Sequence, residues 1–196
     1  MRARRSGFSL VELVIALTVI ALIALNVSMV LKTGSSAYGS ATLDALVRDQ
    51  AEQTVDRIAN AVMSASADAL TPQAVAPMSA SKLDYQTSLG FENQKLVLSD
   101  PERIELTAGK NQVVWTQNPG LPQARSVVWA NWIATTMAGE LADNGVDDNR
   151  NGLVDEKGLS FDVQGKMVTI RLTITRKDAQ GREFTKTLEQ IVTCRN

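Results

Sequence analysis

The chain has 196 residues, a formal net charge of −1 and no histidine. The missing imidazole argues against most acid–base or nucleophile–base catalysis at neutral pH and against histidine-ligated transition metals. The near-zero charge gives nucleic-acid binding no electrostatic support.

The N-terminal segment is the most informative. Arg2, Arg4 and Arg5 precede Gly7, and the run Phe8 to Leu31 is apolar apart from Ser9, Glu12, Thr18, Asn26 and Ser28. As a helix those residues reach about 36 Å, enough to cross a hydrocarbon core of about 30 Å. Arginines before the run and only Lys32 just after it predict a cytoplasmic N-terminus with the remainder outside. The run is too long for the apolar region of a secretory signal peptide, and Glu12 interrupts it. A plain signal anchor, with Glu12 tolerated near the interface, is the simpler alternative. At a bilayer centre a carboxylate costs about 2.5–3.5 kcal/mol on insertion scales, and such residues usually have a partner.

Gly7, Phe8 and Glu12 together resemble the leader and cut site of type IV pilins and type II secretion pseudopilins. That family has a short basic leader ending in Gly, a Phe or Met at the cut, and Glu four residues beyond the Phe within an apolar helix. The resemblance implies that a prepilin peptidase cuts between Gly7 and Phe8 and methylates the new amine of Phe8. It also implies a partner for Glu12, the N-terminal amine of a neighbouring subunit. An ion pair inside an apolar bundle fixes register.

Beyond the apolar run, Gly34 and Gly39 each weaken a helix by roughly 1 kcal/mol relative to Ala, so the stretch from Lys32 to Thr42 is read as a candidate hinge or locally melted segment. After Thr42, Leu43, Val47, Ala51, Val55, Ile58 and Val62 recur on one face, with Asp44, Arg48, Glu52, Asp56 and Asn60 on another. This predicts an amphipathic helix that packs on a sheet, with Arg48 and Glu52 spaced for an ion pair. It ends by Thr71-Pro72 at the latest, and Pro77 keeps the next stretch extended.

The remainder reads as short strands: 82–86, 95–99, 103–107 and 112–116. The clearest hairpin is last. Val168, Ile170, Leu172 and Ile174 alternate with Thr and Arg in 167–175, residues 178–181 turn the chain, and 182–194 return. The predicted fold class is therefore α+β, pilin-like, a long N-terminal helix with a transmembrane half and an amphipathic half packed on an antiparallel β-sheet head. The resemblance implies the same, and the long head looks most like the pseudopilin J and PilW-type minor pilin branch. Trp115, Trp129 and Trp132 are read as core residues of the head.

Between the predicted strands lies an acidic loop, residues 143–156. From Asp147, oxygen side chains alternate at Asp147, Asn149 and Asn151; Gly152 follows, then Leu153, whose carbonyl can point inward, then Asp155. Oxygens at positions 1, 3, 5, 7 and 9 with Gly at 6 are how a looped backbone wraps Ca²⁺. The loop resembles calcium loops of the EF-hand and dockerin class, with two departures: Asn replaces Asp at positions 3 and 5, and position 12 is Gly158 rather than an acid. Glu156 or Asp143 is the candidate replacement. Five acids (Asp143, Asp147, Asp148, Asp155, Glu156) against Arg150 and Lys157 leave a formal charge of −3. A structural Ca²⁺ is expected, against the simpler reading of a solvated Asn/Gly/Asp turn.

Cys194 has no partner for an intrachain disulfide, which departs from the two-cysteine C-terminal loop of many major pilins. It is read as buried and inert, with dimer cross-linking or reaction with small thiols as alternatives. The domain organisation expected is a leader (1–7), a transmembrane and assembly helix (8–31), a hinge and continuation helix (32–70) and a periplasmic head (71–196). The function implied is a non-enzymatic minor pilin or pseudopilin subunit. It is held in bacterial inner-membrane lipid, processed by prepilin peptidase, and assembled with other pilin or pseudopilin subunits into a type II secretion pseudopilus or type IV pilus. The alternative is a membrane-anchored, extracytoplasmic, calcium-dependent binding module that does not assemble. No nucleophile elbow, phosphate loop or zinc spacing supports an enzyme.

Overall fold

The structure, a computed structural model, describes residues 9–92, 94–141 and 143–194. Among the described residues it opens with one long helix, α1 (Leu10–Ser64), followed by nine strands: β1 (Lys82–Tyr85), β2 (Ser88–Glu92), β3 (Lys95–Leu98), β4 (Glu102–Thr107), β5 (Gln112–Gln117), β6 (Arg125–Ala130), β7 (Leu159–Gln164), β8 (Met167–Lys177) and β9 (Glu183–Thr193). The fold is α+β, and every strand pair is antiparallel. The chain divides into two compact units, Met1–Thr42 and Leu43–Asn196.

In the first unit, every Leu, Ile, Val and Met from Leu10 to Leu31 is exposed. The stretch read as a hinge is helical: α1 passes through Gly34 and Gly39 without a break. A propensity loss of about 1 kcal/mol per glycine is too small to interrupt a helix that propagates from both sides.

In the second unit, the amphipathic pattern governs the packing. Val47, Ala51, Val55, Ile58 and Val62 are all buried, joined by Thr54 and Ala59, and Leu43 packs at the margin of the core. Arg48 Nε lies 3.8 Å from Glu52 Oε1 on the exposed side. The helix stops at Ser64, well short of Pro72, because strand pairing captures the chain. Ala65 bridges Thr87, and the Ser66 N–H donates to the Gln86 carbonyl at 2.9 Å.

The strands form a four-stranded sheet ordered β1-β4-β5-β6, a β2-β3 hairpin, and a three-stranded sheet ordered β7-β8-β9. Ala80 and Phe161 exchange main-chain hydrogen bonds of 2.9 and 2.8 Å, joining the segment before β1 to β7. Val168, Ile170, Leu172 and Ile174 are fully buried, as their alternation predicts. Each contributes about 1.5–3 kcal/mol of burial. The turn after β8 is closed by Asp178, whose Oδ1 accepts from the main-chain N–H of Gln180 (2.9 Å) and Arg182 (2.8 Å).

Trp115 and Trp129 stack with ring centroids 6.1 Å apart, and the Trp115 indole N–H donates to Glu102 at 2.9 Å. The Tyr85 hydroxyl donates to the same carboxylate at 2.5 Å; burial, with Glu102 adding to it, pushes that hydroxyl well above its ordinary pKa. Trp132 departs from the core reading. It is 46% exposed, adopts a left-handed φ of 60°, and carries the Arg176 guanidinium 3.9 Å over its ring. A cation on an aromatic face gives the indole a partner at the surface.

Candidate functional site

Two sets of residues carry the functional expectations: the start of α1 and the loop between β6 and β7.

Gly7 and Phe8 lie outside the described residues. Glu12 lies in the first turn of α1 with its side chain exposed, and its main-chain N–H donates to Ser9 Oγ at 3.2 Å. Ser9 thus caps the helix, in the Ser-x-x-Glu spacing of a capping box. A carboxylate in a first turn also complements the helix dipole, so Glu12 is compatible with the helix electrostatically even before any partner arrives. The capping spacing was a readable signal beside the membrane-cost argument.

Two polar residues within the apolar run satisfy themselves locally. Thr18 Oγ1 donates to the Ile15 carbonyl and Asn26 Nδ2 to the Leu22 carbonyl, each at 2.8 Å. A lipid-embedded helix requires such internal pairing, since the hydrocarbon offers no partner. α1 is long and apolar enough to cross a membrane once.

In the acidic loop, the side chains at alternate positions fold the backbone around themselves. Asp147 accepts from the N–H of Asn151 (3.1 Å) and of Gly152 (2.8 Å). Asn149 Oδ1 accepts from the Asn151 N–H at 3.0 Å, and Asn151 Oδ1 from the Leu153 N–H at 2.9 Å. Gly152 takes a φ of 89°, a conformation that glycine adopts without strain. The Leu153 side chain is buried, anchoring the loop.

Two glutamates close this loop from beneath. Glu156 is fully buried; its Oε1 accepts from the Asn151 side-chain amide, and its Oε2 has no hydrogen-bond partner among the described residues. Glu140, 5% exposed, accepts from the Asn149 N–H at 3.3 Å and the Asp155 N–H at 3.2 Å. Burial pushes the Glu156 carboxyl above the usual carboxylate range; the Asn151 amide opposes this, and the Glu140 charge adds to it. The Arg171 charge also opposes the rise; Arg171 donates through Nε to Glu189 at 2.7 Å, and its buried Nη1 has no hydrogen-bond partner among the described residues.

The structure places the other two candidate ligands differently. The Asp155 carboxylate accepts from the N–H groups of Asn144 (2.7 Å) and Gly145 (3.0 Å), and Asp143, exposed, pairs with Lys157 Nζ at 2.7 Å. Glu140 was not singled out in the sequence, since it precedes the alternating pattern. Among the described residues, no three Asp, Glu, His or Cys side chains converge into an ion cage. An ion here would therefore depend on the Asn oxygens and main-chain carbonyls as well as the carboxylates.

Cys194 is 5% exposed, and burial pushes its thiol up.

Residues 2–25 match the model of the prokaryotic N-terminal methylation motif. That match covers the leader, the cut site, Glu12 and most of the apolar run, and it supports the resemblance of this segment to type IV pilins and pseudopilins. Neither a curated protein nor a solved structure matches the chain.

Proposed function

We propose that this chain is a non-enzymatic subunit of the prepilin type. It is held in the bacterial inner membrane by the first part of α1, with the head in the periplasm, and is cut after Gly7 by a prepilin peptidase that methylates Phe8. It then assembles with other pilin or pseudopilin subunits into a type II secretion pseudopilus or a type IV pilus, as a minor component at or near the tip.

The single observation that carries this reading is the methylation-motif match over residues 2–25. Two features of the helix support it. Its large apolar residues from Leu10 to Leu31 are exposed, which is unfavourable in water and needs lipid or neighbouring helices. Its one carboxylate within that run, Glu12, forms no salt bridge among the described residues and suits an amine supplied by another subunit.

Replacing Glu12 with Val tests assembly apart from anchoring. A filament subunit bearing Glu12→Val stays in the membrane fraction but is lost from sheared or purified filaments. A calcium-dependent module that never assembles keeps its full activity with the same substitution. Unchanged filament incorporation of Glu12→Val would count against the register role.

A further inference from the structure

We propose that the loop between β6 and β7 is a calcium site whose acid ligand is the buried Glu156. The side-chain oxygens of Asp147, Asn149 and Asn151 and the Leu153 carbonyl complete the shell, and Glu140 lies behind it.

The alternating pattern alone is also that of an ordinary turn. The independent observation is Glu156. Its side chain is fully buried, its Oε1 meets the Asn151 amide at the fifth loop position, and its Oε2 has no partner among the described residues. A buried carboxylate without compensation is strongly unfavourable, and it persists where a partner or an ion offsets it. The Arg171 charge favours the ionised form of Glu156 from a distance, but its Nε is engaged by Glu189 and no hydrogen bond reaches Glu156 Oε2 among the described residues. A second carboxylate, Glu140, is nearly buried beside it and raises the local negative charge.

The departure at the twelfth loop position has a steric cause. A Cβ on Gly158 would fall 2.0 Å from the Ala134 carbonyl oxygen, so no acidic side chain fits there. Glu156 supplies the carboxylate from two residues earlier. All the donors are oxygens, several of them neutral, in a loop rather than a rigid cage. That set suits Ca²⁺, which takes six to eight oxygens in flexible geometry, over Mg²⁺, which demands near-ideal octahedra, and it excludes soft metals.

An ion at this place would fasten the loop to the head. The Met137 N–H donates to the Glu156 carbonyl at 3.0 Å, and the Thr173 N–H of β8 to the Gly158 carbonyl at 2.7 Å. The proposal is independent of N-terminal processing and of filament assembly.

Isothermal titration of the detergent-solubilised full chain with CaCl₂, after chelator treatment, tests it. One Ca²⁺ per chain is expected, with Mg²⁺ at least tenfold weaker. Glu156→Gln and Asn149→Ala are each expected to weaken Ca²⁺ at least tenfold, while Asp178→Asn, in the turn after β8, binds as the parent. Asn149 is only half-buried, so Asn149→Ala keeps the test decisive if Glu156→Gln fails to fold, which circular dichroism reports. Absence of binding to the parent chain at millimolar Ca²⁺ overturns the proposal, and so does parental affinity in a folded Glu156→Gln or Asn149→Ala variant.

Discussion

Gly158 lies against Ala134 so closely that a Cβ on the glycine would approach the Ala134 carbonyl oxygen to 2.0 Å and its carbonyl carbon to 2.7 Å. The neighbour is backbone, which cannot swing aside as a side chain can. The same glycine donates to the Thr135 carbonyl at 3.3 Å and accepts from Thr173 at 2.7 Å, so it is the point where the acidic loop is fastened to β8. Gly158→Ala is therefore expected to destabilise the head by about 1–3 kcal/mol, the range for forced overpacking. Denaturant unfolding of the full chain in detergent, followed by tryptophan fluorescence, measures it. Parental stability would mean that the loop packs against Ala134 less tightly than described.

The second half of α1 separates burial from surface charge. Ile58 is fully buried, whereas Arg48 and Glu52 are largely exposed. Ile58→Ala is expected to lower stability by about 2–5 kcal/mol, the transfer loss plus the cavity left behind. Removing the ion pair with Glu52→Gln is expected to change it by less than about 0.5 kcal/mol. The same unfolding experiment reads both.

Cys194 gives a pH dependence. Its thiol is 5% exposed and pushed above its ordinary pKa by burial. The native thiol is thus expected to react with a disulfide reagent at pH 8 far more slowly than the same thiol after unfolding. The sign of the linked stability follows. Because the folded pKa is the higher one, the contribution is fully present below the unfolded thiol value of about 8.5. It is lost as pH rises through the folded value. Cys194→Ser is expected to flatten that alkaline slope, and equal labelling rates in folded and unfolded chain would contradict the burial.

The periodic elements were readable because one physical signal dominates each. Four branched or leucine residues at spacing two define the inward face of β8, and apolar residues at spacings of three and four define the packed face of α1. β7 was not read as a strand. Its residues Leu159 to Val163 are buried on both faces, so the alternation that marks a half-exposed strand is absent, and polar Ser160 and Asp162 break the apolar run. β6 has the opposite problem: an edge strand with most side chains exposed carries no core signal. The helix ended at Ser64 rather than near Pro72 because pairing of Ala65 with Thr87 is non-local. In the loop, the phase of Asp147, Asn149, Asn151 and Gly152 was local and readable. The closeness of Glu140 to Glu156 was not, since it depends on the chain doubling back over 16 residues, and the alternating pattern within them does not include Glu140.

The most direct measurement is N-terminal peptide mass spectrometry of the protein isolated from its native membranes. A chain that begins at Phe8 and carries one added methyl on its amine is the result expected of a processed prepilin-type subunit. A chain that keeps Met1 to Gly7, or one that begins near Ala24, would contradict it.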